Sequence, residues 1–178
     1  TDIVASSYKA VSKINCIPYN NVSCSEAQML ATKSINNGNN TSSLMFGIQW
    51  DLVLKYLNVK GGKSVEDLMS DSTKWGNYYS YNDTNGTFSI TSESAKKTTS
   101  SPYNSFNTAT TTEGLLTTGA SNDAGPLNIY DLAGNVSEWT LEPTAITSYP
   151  CALRGGSFIL SGSSCPVSNR SVGGPTDA

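Results

Sequence analysis

Asp131, Asn135 and Glu138 bring three oxygen-bearing side chains together around a Gly134-Asn135 turn signal. Both turn residues tolerate positive φ. Oxygen ligands on a tight turn suit a hard cation such as calcium. The same side chains also suit capping of the turn's own backbone N–H groups, which is their commoner use. Histidine is absent. The commonest general acid/base is therefore missing, and no Ser-His pair, Cys-His pair or His-rich iron site can be built. Four cysteines remain: Cys16, Cys24, Cys151 and Cys165. Cys16 with Cys24, or Cys151 with Cys165, could close as a disulfide in an oxidising compartment; four semi-buried thiols are the alternative. Without a Cys-x-x-Cys spacing a zinc site is not expected. These residues assign no catalytic group.

The elements that must position them are read from periodicity and caps. The chain has 178 residues, 37% hydrophobic and only 14% charged. That is enough for one domain with a core, rich in turns and loops. A net charge of −3 gives no nucleic-acid footprint, and no apolar run approaches the ~20 residues of a membrane span. Short β-like runs are read at Asp2-Ile3-Val4-Ala5 and around Ala10-Val11. Ser23 and Glu26 form a capping box, which opens a helix over 24–35, with Gly38 available for a left-handed cap. A second helix is expected over 44–57. Its stripe Ile48, Leu52 and Tyr56, widened by Trp50, Val53, Leu54 and Leu57, predicts a buried helix with Trp50 in the core. Ser64 starts a short capped helical turn. Asn85-Gly86 centres a β-hairpin over 81–90. Residues 75–121 otherwise read as a loop-rich insertion on the surface.

The longest patterned stretch is Asn-Ile-Tyr-Asp-Leu-Ala-Gly-Asn-Val-Ser-Glu-Trp over 128–139, followed by Leu-Arg-Gly-Gly-Ser over 153–157. With the upstream Leu-Met-Phe-Gly-Ile-Gln-Trp-Asp over 44–51, it resembles the formylglycine-generating-enzyme/sulfatase-modifying superfamily. The resemblance covers roughly residues 15–60 and 120–178. It implies one α+β domain over 1–178 with a C-type-lectin-like fold: two helices on a small twisted antiparallel sheet, with long loops. Arg154 is expected to pair with Asp131 or Glu138, and the double glycine to sit where another backbone segment crosses.

Residues 154–178 resemble the variable segment of the superfamily's non-catalytic, retroelement-diversified branch in phages and bacteria. The frame there is Arg-Gly-Gly-Ser, Ser-Gly-Ser, Pro-Ala-Ser-x-Arg and Pro-Thr, all met here with Val167 for Ala. The free positions are Phe158, Ile159, Leu160, Ser164, Cys165, Asn169, Ser171, Val172, Gly173, Gly174, Asp177 and Ala178. Strand alternation is expected to bury about half of 158–160. The resemblance also implies a closing Gly-Phe-Arg-Val strand that this sequence, ending at Ala178, does not contain. Copper-dependent relatives place two cysteines at the positions of Leu160 and Cys165, and only the second is cysteine here. The implied function is therefore binding without a required cofactor. The free positions would meet a protein or glycan ligand, with the protein displayed outside the cell on a virion or bacterial surface, alone or as an oligomer. The alternatives are a formylglycine-generating-type metal-dependent oxidase and a purely structural virion decoration.

Overall fold

The computed structural model describes residues 10–14, 16, 18–34, 38–78, 80–82, 87–89, 115–119 and 126–174. Within them lie three α-helices, two sheets and a short 3₁₀ turn. The helices are α1 (Cys24–Ser34), α2 (Gly47–Lys60) and α3 (Val65–Met69). Strands β1 (Ser80–Asn82) and β2 (Thr87–Ser89) pair antiparallel as the expected hairpin, with Tyr81 opposite Phe88. Strands β3 (Glu138–Pro143), β4 (Cys151–Arg154) and β5 (Ser171–Gly173) form the main sheet in that order, antiparallel throughout. No helix among the described residues is long and apolar enough to cross a membrane.

Local chemistry sets the helix ends. The Ser23 N–H donates to the Glu26 carboxylate at 2.9 Å, and the Glu26 N–H returns to Ser23 Oγ at 3.4 Å. Ser64 and Asp67 repeat this reciprocal cap at α3. Helix α2 runs three residues later than expected at both ends. Met45 is held to the sheet, its carbonyl accepting from the Leu141 N–H at 2.9 Å. The Phe46 N–H donates to the Gln49 side chain at 2.8 Å. Helix turns therefore begin at Gly47, where a Cβ would lie 2.4 Å from the Glu142 carboxylate.

The core gathers Trp50, Leu54, Leu57, Leu68, Trp75, Tyr78, Leu132, Ala133 and Val167. Helix α2 thus buries its 50-54-57 stripe, with Trp50 in the core as expected. The other expected stripe faces water: Ile48, Leu52 and Tyr56 are 68%, 62% and 50% exposed. Both stripes are apolar, and only one meets partners. The surface-loop expectation for 75–121 also fails at its ends, because Trp75, Asn77, Tyr78, Leu116 and Thr117 are buried. Tyr78 reaches the core as a polar strut, its hydroxyl donating to Gly155 O at 2.7 Å. No strand forms at Ala10-Val11, where Val11 is exposed. The run at 2–5 and most of the loop-rich insertion lie outside the described residues.

A four-membered ion lattice ties α2 to the sheet. The Arg154 guanidinium donates to Asp51 at 2.6 Å and to Glu142 at 3.3 Å. Arg170 donates to the other oxygens of the same two carboxylates at 2.6 and 2.7 Å. The expected pairing of Arg154 with Asp131 or Glu138 is thereby corrected. Glu138 stands opposite Arg154 in register, but the guanidinium extends toward α2 and over the Trp50 ring. The Arg154 side chain is fully buried, whereas that of Arg170 is half exposed. Burial, with the Arg170 charge beside it, pulls Arg154 below its ordinary value; the Glu142 hydrogen bond holds Arg170 above its own. Replacing Arg154 by Leu strands two carboxylates against one outer cation and is expected to cost about 3–5 kcal/mol in urea unfolding. Arg170→Ala removes a half-solvated arm and is expected to cost about 1 kcal/mol. Equal costs would show that the inner arm is not the structural one.

Candidate ligand-binding cleft

The Ala133-Gly134-Asn135 turn is the hub of the site. Gly134 and Asn135 adopt φ of +69° and +60°, as the turn signal implies. A Cβ on Gly134 would lie 2.2 Å from Asn77 O. The Gly134 N–H donates to Gly155 O, the Asn135 N–H to Asn77 O, and the Phe158 N–H to Asn135 O, at 2.7, 2.8 and 3.0 Å. Gly155 and Gly156 both sit at left-handed φ against crossing backbone, with Leu132 O and Cys165 O where their Cβ atoms would be. The turn and the double glycine thus brace one another.

The turn's side chains divide the expected calcium set. Asn135 is buried, and its amide oxygen accepts from both Asn77 Nδ2 (3.0 Å) and the Leu116 N–H (2.9 Å), while its amide nitrogen donates to Leu116 O. Both lone pairs of that oxygen are used, so it is spent on clasping the 115–117 segment. Asp131 accepts from the Gly119 N–H at 3.0 Å, and burial pushes its carboxyl up. Burial first, and then the Asp131 charge, push Glu138 up to about 7. Among the described residues, no three His, Cys, Asp or Glu side chains gather as a metal-binding group.

Beside this hub opens a cleft of about 590 Å³. One wall is the 19–22 segment, Tyr19-Asn20-Asn21-Val22. The floor is built from Val136, Ser137, Trp139 and Leu153, and the far rim from Ser157, Phe158, Ile159, Val172 and Gly173. Trp139 joins wall to floor, its indole N–H donating to Val22 O at 2.8 Å. Ser137 Oγ donates to Gly156 O at 3.1 Å, which fixes the lip between floor and rim. No carboxylate, amine, guanidinium or thiol occurs among the described lining residues. Aromatic faces, aliphatic patches and a few amides and hydroxyls do. Such a surface stacks and hydrogen-bonds an uncharged group.

Of the expected binding positions, Phe158, Ile159, Val172 and Gly173 reach the cleft. Residues 158–160 form turns, not the expected strand, with Ile159 exposed and Phe158 and Leu160 half-buried. Leu160, Ser164, Cys165, Asn169 and Ser171 lie outside the lining. Ser164 is exposed and accepts from Ser161 Oγ, and Asn169 donates to Ser171 Oγ. Gly173 and Gly174 are buried. Gly173 is not free to vary, since a Cβ there would meet the Trp139 ring at 2.4 Å. Asp177 and Ala178 fall outside the described residues. The frame is bound to the rest of the chain at each step. Gly162 O accepts from the Ser72 N–H, the Val167 N–H donates to Ser72 Oγ, and Val167 O accepts from the Trp50 indole, at 3.1, 2.9 and 3.1 Å. The 19–22 wall was not foreseen; its only signal is an aromatic followed by two amides just before a helix cap.

A family model for the sulfatase-modifying factor enzyme 1-like domain matches residues 15–178. The chain belongs to that family. Neither a search of curated proteins nor a search of solved structures finds a match.

Glu138 gives the site a pH signature. Its folded pKa stands above the ordinary 4.5, so its stabilising contribution is complete below about 4.5 and is lost as pH rises through about 7. With chelator present, Glu138→Gln is expected to flatten the stability profile across that window. At pH 8 it should exceed the parent by about 1–3 kcal/mol in urea unfolding. Parallel profiles would overturn the assignment.

Proposed function

We propose that this protein is a binding protein whose C-terminal segment, on a C-type-lectin-like scaffold, presents replaceable side chains to a ligand on a cell surface. The observation that carries the reading is the separation of frame from free positions. Arg154, Gly155, Gly156, Gly162, Pro166 and Val167 are buried and tied to the helices and the hub. Phe158, Ile159 and Val172 line an open cleft, and Ser164 is exposed. A fixed chassis under variable contacts lets recognition change while the fold persists. The uncharged, aromatic-bearing cleft favours a neutral protein loop or glycan as the contacted group. Display on a virion or bacterial surface is part of the proposal and follows from the likeness to the diversified branch.

A catalytic reading has little support in the side chains. The two-thiolate copper set of the enzymatic relatives does not fit, because Leu160 occupies one of its positions. Burial raises the remaining Cys165 thiol, which disfavours the thiolate that copper needs. Binding through the cleft requires no cofactor. A calcium ion using Asp131 and Glu138 would raise Tm on titration at pH 8 in the parent and not in Glu138→Gln; a flat titration removes the ion from the account.

Combined substitutions at Phe158, Ile159 and Val172 are expected to change Tm by no more than about 2–4 °C, the equivalent of about 1 kcal/mol. They should abolish retention of labelled protein on the bacterial cells that bind the parent chain. Gly162→Val and Val167→Asp are expected to lower Tm several-fold more. Rim variants as damaging to the fold as frame variants, or as well retained on cells as the parent, would overturn the proposal.

A further inference from the structure

Cys24 and Cys151 come from opposite ends of the chain, and spacing pairs each with a different cysteine, Cys24 with Cys16 and Cys151 with Cys165. The geometry brings them together step by step. The Trp139 indole holds Val22 O at 2.8 Å, which lays the start of α1 along the sheet. Trp139 stands opposite Leu153 in register. Cys151, two residues from Leu153, projects to the same face by strand alternation. Cys24, two residues beyond Val22, arrives at that point, close enough for its thiol to feel that of Cys151. Cys24 is buried and Cys151 half-buried, and both are free thiols.

We propose that Cys24 and Cys151 are a disulfide-forming pair, closed by exchange with a small-molecule disulfide such as oxidised glutathione. The more accessible Cys151 thiolate attacks the small disulfide, forming a mixed disulfide and releasing one glutathione thiol. Cys24 then loses its proton to solvent and attacks Cys151 Sγ, and the second glutathione leaves as thiolate. Two protein thiols are oxidised and one glutathione disulfide is reduced to two thiols. Burial and the Cys151 neighbour push the Cys24 thiol up to about 12, so closure quickens as pH rises.

The bond has a consequence for the cleft, whatever the cleft binds. Cys24 lies two residues past the Tyr19–Val22 wall, and Cys151 pairs in register with Gly173 on the rim. Oxidation staples wall to rim. In the reduced protein that wall is held by the Trp139–Val22 hydrogen bond and the contacts of α1.

The test uses a Cys16→Ser/Cys165→Ser protein, which retains only the proposed pair, incubated with oxidised glutathione at pH 8. The expected result is loss of both free thiols without retained glutathione, and one cross-linked peptide joining Cys24 to Cys151. Tm should rise by about 5–10 °C over the dithiothreitol-treated sample, since the bond closes a long loop. The same cross-link is expected on peptide mapping of the oxidised parent chain, which tests the pair without any substitution. Persistence of both thiols, a stable mixed disulfide, an unchanged or lower Tm, or a parent cross-link to Cys16 or Cys165 instead would each overturn the proposal.

Discussion

Arg154 sits in a fully buried position with its guanidinium between Asp51 and Glu142. A charge so placed is tolerable only while its partners are present, because desolvation is repaid by short, well-aligned contacts and by little else. The dependence runs in both directions along the chain. Asp51 is one residue past the core Trp50, Glu142 is on β3, and Arg170 closes the lattice from the C-terminal segment. Helix, sheet and C-terminal segment therefore share one electrostatic knot. The Trp50 indole adds a neutral tie to Val167 beside it. The residues that give the chain its family likeness are the ones that make these contacts, which is why they occur as separated clusters.

What could be read from the residues alone was local chemistry. The caps at Ser23 and Ser64, the left-handed turn at Gly134-Asn135 and the backbone crossing at Gly155-Gly156 each depend on a few neighbouring atoms. The misreadings all involve a choice among distant partners. Helix α2 carries two apolar stripes, and nothing within it says which will find Leu68 and Trp75. Arg154 was matched to Asp131 or Glu138, but the stacking of α2 on β3 delivers Asp51 and Glu142. The cleft was half legible: Phe158, Ile159 and Val172 on its rim are among the expected binding positions, while its wall comes from residues 19–22, whose arrival depends on Trp139. Spacing does not pair Cys24 with Cys151 for the same reason, since their approach depends on the sheet's register and on Trp139.

The cleft is held together by its backbone and not by its rim side chains. Backbone hydrogen bonds around Asn135, Gly155 and Phe158 hold the floor and lip without asking anything of the rim side chains. Gly173 marks the limit of that freedom, because its missing side chain makes room for the Trp139 ring. A position can look variable in pattern and still be fixed by a neighbour's volume.

The ion lattice also has a dry side and a wet side. Arg154 is sealed, while the Arg170 side chain is half in water and Asp51 is 40% exposed. Mobile ions compete with the outer arm and barely reach the inner one, since screening acts on solvated charges first. In brine the strip carrying Arg170 would loosen like a flap from its catch, over a chassis that stays shut. Ionic strength thus becomes a dial on the compliance of the C-terminal strip, set by a single half-wetted guanidinium.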